Sequence, residues 1–356
     1  IQATDERHYL VEVFTKFGFN QDDSQLLADT LVDADLRGIS SHGIQRLAWY
    51  RRMIKEGTII PQNKAKIIRE LPGSVLVDAN QNMGQLATVL ATQKIIEKAK
   101  KTGVAIAVIR NSNHFGTAGY YTRLALEAGL VGVALTNTRP LAVPTNAIQA
   151  FLGSNAFAFG FPASPHPFMF DGATCVVSGG KIQVHAKKGE PLPGEWAVDK
   201  DRQVVTDAQE AEDILATAAF TEGEQKGGGV LTLGGSNEEN SNYKGMGNSI
   251  VIELLTGILA QGSISADTVS GKHDFSQFVM VLNPAFFGDP EVLKKDATSM
   301  LDRIRQLEHI PGKEIWVPGD SEYRLLAENK EKGVTIDEKT YQEMKEIGTE
   351  LGIDVP

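Results

Sequence analysis

Apolar side chains recur at helical spacing from the start of the chain. Tyr9, Leu10, Val13, Phe14 and Phe17 line one face, with Thr4 as the expected cap and Gly18 as the stop. Leu26, Leu27, Leu31, Val32 and Leu36 repeat the pattern, opened by Asn20 or Asp22 and closed by Gly38. Leu47, Tyr50 and Ile54 predict a third helix that starts at Ser40 or Ser41 and stops at Gly57. Residues 4 to 57 thus read as entirely helical.

The pattern then changes. Ser74 to Asp78 predicts a strand, and Gln85 to Lys101 a helix ended by Gly103. Val104 to Arg110 predicts a buried strand, because its apolar run is nearly continuous. Ala118 to Ala128 predicts a helix stopped by Gly129, and Val131 to Thr136 a second buried strand. This alternation makes the fold class α/β. From about residue 137 to 235 the chain is richer in Gly, Pro and short β-like runs. Phe151 to Phe161 has strand composition interrupted by turn residues, and Glu222 to Gly229 reads as an exposed loop. Ser249 to Leu259 predicts an apolar helix, Phe275 to Leu282 a strand and Glu291 to Glu308 an amphipathic helix. Glu322 to Lys332 and Asp337 to Leu351 predict polar helices.

The 356 residues carry a formal net charge of −10, which argues against a nucleic-acid-binding face. Apolar residues make up 42%, enough for sizeable cores. No apolar run is long enough to span a bilayer, and the first residues lack the apolar core of a signal peptide. A cytoplasmic protein that binds no membrane is therefore expected. Cys175 is the single cysteine, so no disulfide can form within the chain. Its apolar run, Ala173 to Val177, marks it as core.

Candidate chemistry gathers in four places. Arg37-Gly38-Ile39-Ser40-Ser41-His42-Gly43-Ile44-Gln45-Arg46 packs two hydroxyls, an imidazole and a guanidinium together. If a helix starts here, His42 and Arg46 lie four apart on one face and converge on one ligand. An imidazole moves a proton near neutral pH, and a guanidinium grips a carboxylate by two parallel hydrogen bonds. Asn111-Ser112-Asn113-His114-Phe115-Gly116 follows a buried strand and precedes a helix, whose dipole would favour a neutral His114. Gly234-Gly235-Ser236 with Tyr243-Lys244-Gly245-Met246-Gly247 precedes the helix from Ser249 and could offer N–H groups and a cation to an anion. Phe170-Asp171-Gly172-Ala173-Thr174, after Gly153-Ser154-Asn155, places a carboxylate at the end of an apolar run. A helix cap, a solvated arginine or lysine and a turn aspartate are the plain alternatives for these groups. Gly-x-Gly-x-x-Gly, Gly-x-Ser-x-Gly and His-Glu-x-x-His are absent. Residue chemistry by itself reaches an α/β enzyme acting on a small anion, with two candidate imidazoles.

These motifs, with Trp196-Ala197-Val198-Asp199, Asn283-Pro284-Ala285-Phe286-Phe287 and Val317-Pro318-Gly319-Asp320, run in one order over nearly the whole chain. The sequence resembles the second, non-Rossmann family of malate/L-lactate dehydrogenases. That family also holds ureidoglycolate, sulfolactate and diketogulonate-type dehydrogenases and some cyclic imino-acid reductases. The helical pattern at both chain ends predicts that 1–70 and 285–356 form one helical lobe, and the resemblance implies a non-Rossmann nicotinamide-binding fold. It implies an α/β segment with a catalytic loop over 71–136 and a cofactor-binding domain over 137–284. It implies NAD or NADP as cofactor, no metal, and a homodimer with the active site near the subunit interface. By position, His42 and His114 become the proton-transfer candidates, Ser41 orients His42, and Arg46 holds a substrate carboxylate. Thr138, Asp171, Gly172, Ala173, Lys244, Pro318, Gly319 and Asp320 would line the cofactor site.

Some positions depart from the family pattern. Gly172 stands where relatives often carry Met, Cys175 where Ser or Thr is usual, Ala156 where Pro is common, and Arg139-Pro140 where some have Asp-Pro. They bear on the choice between NAD and NADP and leave every proposed catalytic group in place. The resulting expectation is a reversible 2-hydroxy acid dehydrogenase, with malate ahead of lactate and ureidoglycolate as substrate. A cyclic imino-acid reductase is the neighbouring alternative, and a catalytically silent small-anion binder the alternative from another class.

Overall fold

The computed structural model describes residues 1–218, 227–269 and 274–356. Three helices, α1 (Ala3–Lys16), α2 (Gln21–Leu36) and α3 (Leu47–Lys55), lead into β1 (Lys66–Leu71) and β2 (Ser74–Asp78). They are followed by α4 (Gly84–Thr102), β3 (Val104–Ser112), α5 (Ala118–Glu127), β4 (Val131–Thr136) and β5 (Pro140–Val143). Next come β6 (Leu152–Gly153), β7 (Ala156–Phe161), β8 (Phe168–Ala173), α6 (Gly179–Lys188), β9 (Ala197–Val198) and β10 (Val204–Val205). The order continues with α7 (Ala208–Ala218), β11 (Gly229–Leu231), α8 (Asn242–Glu253), β12 (Phe275–Leu282), α9 (Pro290–Arg305), α10 (Asp320–Lys332) and α11 (Glu338–Leu351).

Two sheets organise these elements. The larger runs β1-β2-β3-β12-β4-β7-β8, and the smaller runs β10-β9-β11-β5-β6. Among the described residues, β2 and β3 are the one parallel pair in the larger sheet, and its other neighbours are antiparallel. This pairing differs from the parallel sheet of a doubly wound dinucleotide fold. β12 inserts between β3 and β4, with Val279 opposite both Ala107 and Ala134. Strands from segments 71–136 and 137–284 therefore share one sheet.

Small residues let helices settle on this sheet. Ala87, Ala91, Ile95 and Ala99 of α4 pack on Val75, Val77, Ala107, Ile109 and Val281. Both chain ends meet in one cluster, where Tyr9, Leu10, Val13 and Phe14 pack with Leu27, Leu31, Met344, Ile347 and Ile353. The smaller sheet has its own core, in which Cys175 lies with Ile182, Trp196 and Leu215. Burial pushes the Cys175 thiol up to about 12, as befits an inert core group.

Several boundaries differ from those the pattern predicts. Thr4 lies inside α1, which starts from Gln2, whereas Asn20 does cap α2 by accepting the Asp23 N–H at 2.9 Å. The motif Tyr243 to Gly247 is helical and belongs to α8, which begins seven residues before Ser249. Gly245 is needed there, because a Cβ would come within 2.4 Å of the Leu233 backbone. After Glu253 the helix widens into a π turn over Leu254–Ile258. Asn155, at φ 34°, separates β6 from β7 inside the Phe151 to Phe161 run. Of the loop expected over 222–229, residues 222–226 lie outside the described residues. Gly228 and Gly229 are buried, Gly228 bridging to Gln149 and Gly229 opening β11.

Candidate active site

The segment that carries His42 and Arg46 is not the start of a helix. Two 3₁₀ turns, Ser40–His42 and Ile44–Arg46, are joined by Gly43, whose ψ of −148° breaks the helical path. The α-helix begins only at Leu47. Gly43 leaves no room for a side chain, because a Cβ would sit 1.9 Å from Asp35 Oδ2. The next N–H, that of Ile44, donates to the same carboxylate at 2.6 Å. Ser41 caps no helix. Its Oγ lies 2.9 Å from His42 Nδ1. Arg46 Nε donates to the Ser41 carbonyl at 2.5 Å, and no described residue accepts from its two terminal nitrogens.

His114 reaches the same place from the end of β3, two residues longer than the apolar run suggests. Asn113 is buried and anchors the turn: Nδ2 donates to the carbonyls of Thr58 at 3.3 Å and Asn82 at 3.2 Å, and Gln277 Nε2 donates to its own carbonyl at 3.1 Å. His114 Nδ1 lies 2.7 Å from the Tyr50 hydroxyl, which accepts from Gln85 Nε2 at 2.9 Å. The Gly116 N–H also points at Nδ1, at 3.3 Å. A backbone N–H can only donate, so Nδ1 is the acceptor and the neutral ring carries its proton on Nε2. The two imidazoles stack with centroids 5.4 Å apart and planes 23° from parallel, and Trp49 packs edge-on against His114.

Both rings are half-buried and neutral. Burial, then the Arg46 charge, pushes His42 down to about 3. His114 is driven well below its usual value by burial, then Arg46, then His42. Desolvation and a guanidinium therefore do what the helix dipole was expected to do.

A second group of residues gathers on β8. Asp171 accepts the Gly119 N–H at 2.7 Å in the first turn of α5, where the helix dipole favours a carboxylate. Gly319, at φ +101°, packs on Met169, whose N–H donates to the Pro318 carbonyl at 3.4 Å. A Cβ on Gly319 would come within 3.2 Å of the Met169 backbone. Asp171, Gly172 and Ala173 thus lie on the strand whose Met169 receives the Pro318-Gly319 turn. Asp320 is held by Arg305 at 2.7 and 3.0 Å and by the Val317 N–H at 3.1 Å, with His166 Nε2 3.7 Å from it. Thr138 Oγ1 accepts the Ser154 N–H at 3.0 Å, and the Thr138 N–H donates to Asn155 Oδ1 at 3.2 Å. Asn155 Nδ2 in turn donates to Glu253 at 2.8 Å and Ser249 at 2.9 Å, both on α8. Lys244 is exposed in the first turn of α8, which rests on Leu233, and the Leu233 N–H donates to the Thr174 carbonyl at 3.0 Å.

Three further residues support the site, and a fourth lies within reach of the Arg46 charge. Tyr50 and Gln85 hold His114, and Asp35 holds the His42 loop. Arg139 is half-buried, and its pKa is lowered by burial, then by Arg46 and Arg52. It forms no ion pair among the described residues. Tyr50 sits at core spacing and Asp35 in a polar helical stretch, so neither carried a signal. Arg139 stood out as a departure from the family pattern alone.

Paired imidazoles beside a guanidinium with free donors define an enzyme that moves protons on a small acid. The chain matches the malate/L-lactate dehydrogenase family over residues 1–345 and belongs to it. It is 35% identical over 350 residues to the malate dehydrogenase of Pyrococcus horikoshii, covering 97% of this chain and 94% of that one. It is 33% identical over 362 residues to the L-sulfolactate dehydrogenase of Methanocaldococcus jannaschii, covering 100% and 98%. The crystal structure of malate dehydrogenase from Entamoeba histolytica superposes with a TM-score of 0.94 at 30% identity, covering 100% of this chain and 99% of that one. The protein is a 2-hydroxy acid dehydrogenase that works with a nicotinamide cofactor.

Proposed function

We propose that the enzyme interconverts malate and oxaloacetate with NAD, and that His42, His114 and Arg46 carry the chemistry. The observation behind this reading is the stacked imidazole pair, 5.4 Å between centroids, beside a guanidinium whose terminal nitrogens have no described protein partner. Arg46 grips the substrate C1 carboxylate by two hydrogen bonds. His42, with Ser41 on Nδ1, presents Nε2 to the hydroxyl and takes its proton. His114 donates from Nε2–H to the same oxygen and stabilises the charge that develops there. Reduction reverses these steps. In the free enzyme Arg46 opposes protonation of both rings. A bound carboxylate offsets that charge and raises their proton affinity as the reaction begins.

The cofactor, when bound, supplies the acceptor for the hydride on the substrate Cα. Thr138, Asp171, Gly172, Ala173, Lys244, Pro318 and Gly319 would hold it, with Asp320 stiffening the Pro318-Gly319 turn. The chemistry of this set fits a dinucleotide. Gly172 and Ala173 leave a half-exposed strand without bulky side chains, Asp171 is an acceptor, and Lys244 is an exposed cation for a phosphate. The helical chain ends, segment 71–136 with the His114 turn, and segment 137–284 with most cofactor positions form the functional division. Arg139 favours a substrate with a second anionic group, hence malate over lactate.

Ile250, Val251, Leu254, Ile258 and Leu259 are each 40–55% exposed, which supports a homodimer built on α8. A single buried cysteine suits the cytoplasm. The test is NADH and NADPH oxidation against oxaloacetate, pyruvate, a sulfonated 2-oxo acid and cyclic imines. Oxaloacetate with NADH is expected to turn over fastest. Turnover confined to a cyclic imine would move the protein to imino-acid reduction. A flat response across the panel by folded protein would overturn the assignment.

A further inference from the structure

Behind the His42 loop lies a pair of carboxyl groups that the chemistry above does not use. Glu6 of α1 is fully buried, and Asp35 of α2 is 6% exposed. The two carboxyls face each other. Neither Glu6 oxygen finds a hydrogen-bond donor in the protein. Two facing acceptors in a desolvated site are satisfied only if one carries a proton. Asp35 is the ionised member, because the Ile44 N–H donates to it at 2.6 Å. Burial, then the Asp35 charge, raises Glu6 and keeps it protonated. The Gly43 backbone is pressed against the same Asp35 carboxyl, with no space for a Cβ. His42 and Arg46 each stand two residues from Ile44.

We propose that Glu6 is a positioning residue, a protonated acid that donates to Asp35 and so clamps the turn presenting His42 and Arg46. The inference rests on the catalytic reading of that turn. A neutral donor at position 6 lets the buried Asp35 carboxylate serve the Ile44 N–H without a second uncompensated charge. Removing the donor leaves Asp35 short of a partner, and the turn is then free to shift. A displacement of 1 Å at a catalytic group lowers turnover by about 10²-fold.

The test compares Glu6→Leu and Glu6→Gln in the full-length protein, with amide hydrogen exchange over residues 39–47, a melting curve and steady-state kinetics. Glu6→Leu is expected to raise exchange in that stretch about tenfold and to lower kcat about tenfold or more, with the cofactor KM unchanged. Glu6→Gln keeps a neutral donor and is expected to restore both to wild-type values. Wild-type exchange in folded Glu6→Leu would overturn the proposal. Loss of protection in Glu6→Gln would overturn it as well, and this arm stands even if Glu6→Leu fails to fold. Exchange is read without turnover, so a wild-type enzyme inert toward every 2-oxo acid would sink the catalytic reading and still leave the clamp to be judged.

Discussion

The Tyr50 hydroxyl lies 2.7 Å from Nδ1 of His114, although 64 residues separate them. Tyr50 is fully buried and also accepts from Gln85 Nε2, so a single phenol oxygen joins the third helix, α4 and the His114 turn. Tyr50→Phe removes the side-chain partner of His114 Nδ1, leaving only the longer Gly116 N–H contact, and strands Gln85, whose Oε1 already lacks a partner. A buried amide left without partners costs about 1–3 kcal/mol. A lower melting temperature is therefore expected, with a fall in kcat of about 10-fold to 100-fold as the imidazole loses its orientation. The substrate KM should hold, because Arg46 is untouched. A raised KM with unchanged kcat would show that Tyr50 serves binding instead.

Arg46 lowers the pKa of both imidazoles, and burial lowers each of them more. Removing the charge in Arg46→Met should move the His42 titration up from about 3, short of the ordinary 6.5, because burial persists. The sign follows from electrostatics: without a neighbouring cation the protonated ring is less disfavoured. In the oxidation direction a protonated His42 cannot accept. The acid limb of kcat/KM should therefore lie at higher pH in the variant than in the wild type. Ring-proton chemical shifts against pH give the same answer without turnover. Coincident titrations in the two proteins would remove Arg46 from the account.

Much of this architecture was legible in the residues. Val131 to Thr136 and Phe275 to Leu282 are strands with those same bounds, because strands buried on both faces leave largely apolar runs, Ser276 and Gln277 being the polar exceptions. Helical spacing over Ser40–Arg46 does not reveal the ψ of Gly43, which a tertiary contact with Asp35 imposes. The start of α8 is hidden by Gly245 and Gly247, residues that suggest a loop, although Gly245 is there because the helix packs closely on the Leu233 backbone. β1 went unseen because Lys66 to Leu71 is a largely exposed edge strand without clean alternation. His42, His114 and Arg46 stood out by chemistry, whereas Tyr50 and Asp35 became visible only once the chain had brought them to the imidazoles.

Arg139 forms no ion pair among the described residues, and the charge of Arg46 reaches it. A substrate with carboxylates at both ends would satisfy both guanidiniums, and a monocarboxylate only one. Arg139→Ala should then raise the KM for oxaloacetate about tenfold, equivalent to 1.4 kcal/mol, and leave pyruvate nearly unaffected. The ratio of kcat/KM for the two substrates isolates this effect from any general loss. An equal loss on both would place Arg139 outside substrate selection.

The apolar surface of α8 and the π turn that follows it is long for a face open to water. Ile250, Val251, Leu254, Ile258 and Leu259 fall within ten residues and are 40–55% exposed. Val251, Leu254 and Ile258 follow at spacings of three and four, so they form one stripe. The π turn over Leu254–Ile258 widens the helix where the stripe is most exposed. Monomeric proteins rarely leave such a patch uncovered, and a twofold partner presenting the same stripe would cover it isologously. Leu254→Glu puts a charge in the centre of that contact, where burial without a partner is unfavourable. Sedimentation should show a dimer for the wild type and a monomer for the variant, with unchanged far-ultraviolet circular dichroism. A wild-type monomer at micromolar concentration, or a variant that stays dimeric, would mean that the stripe is not the subunit contact.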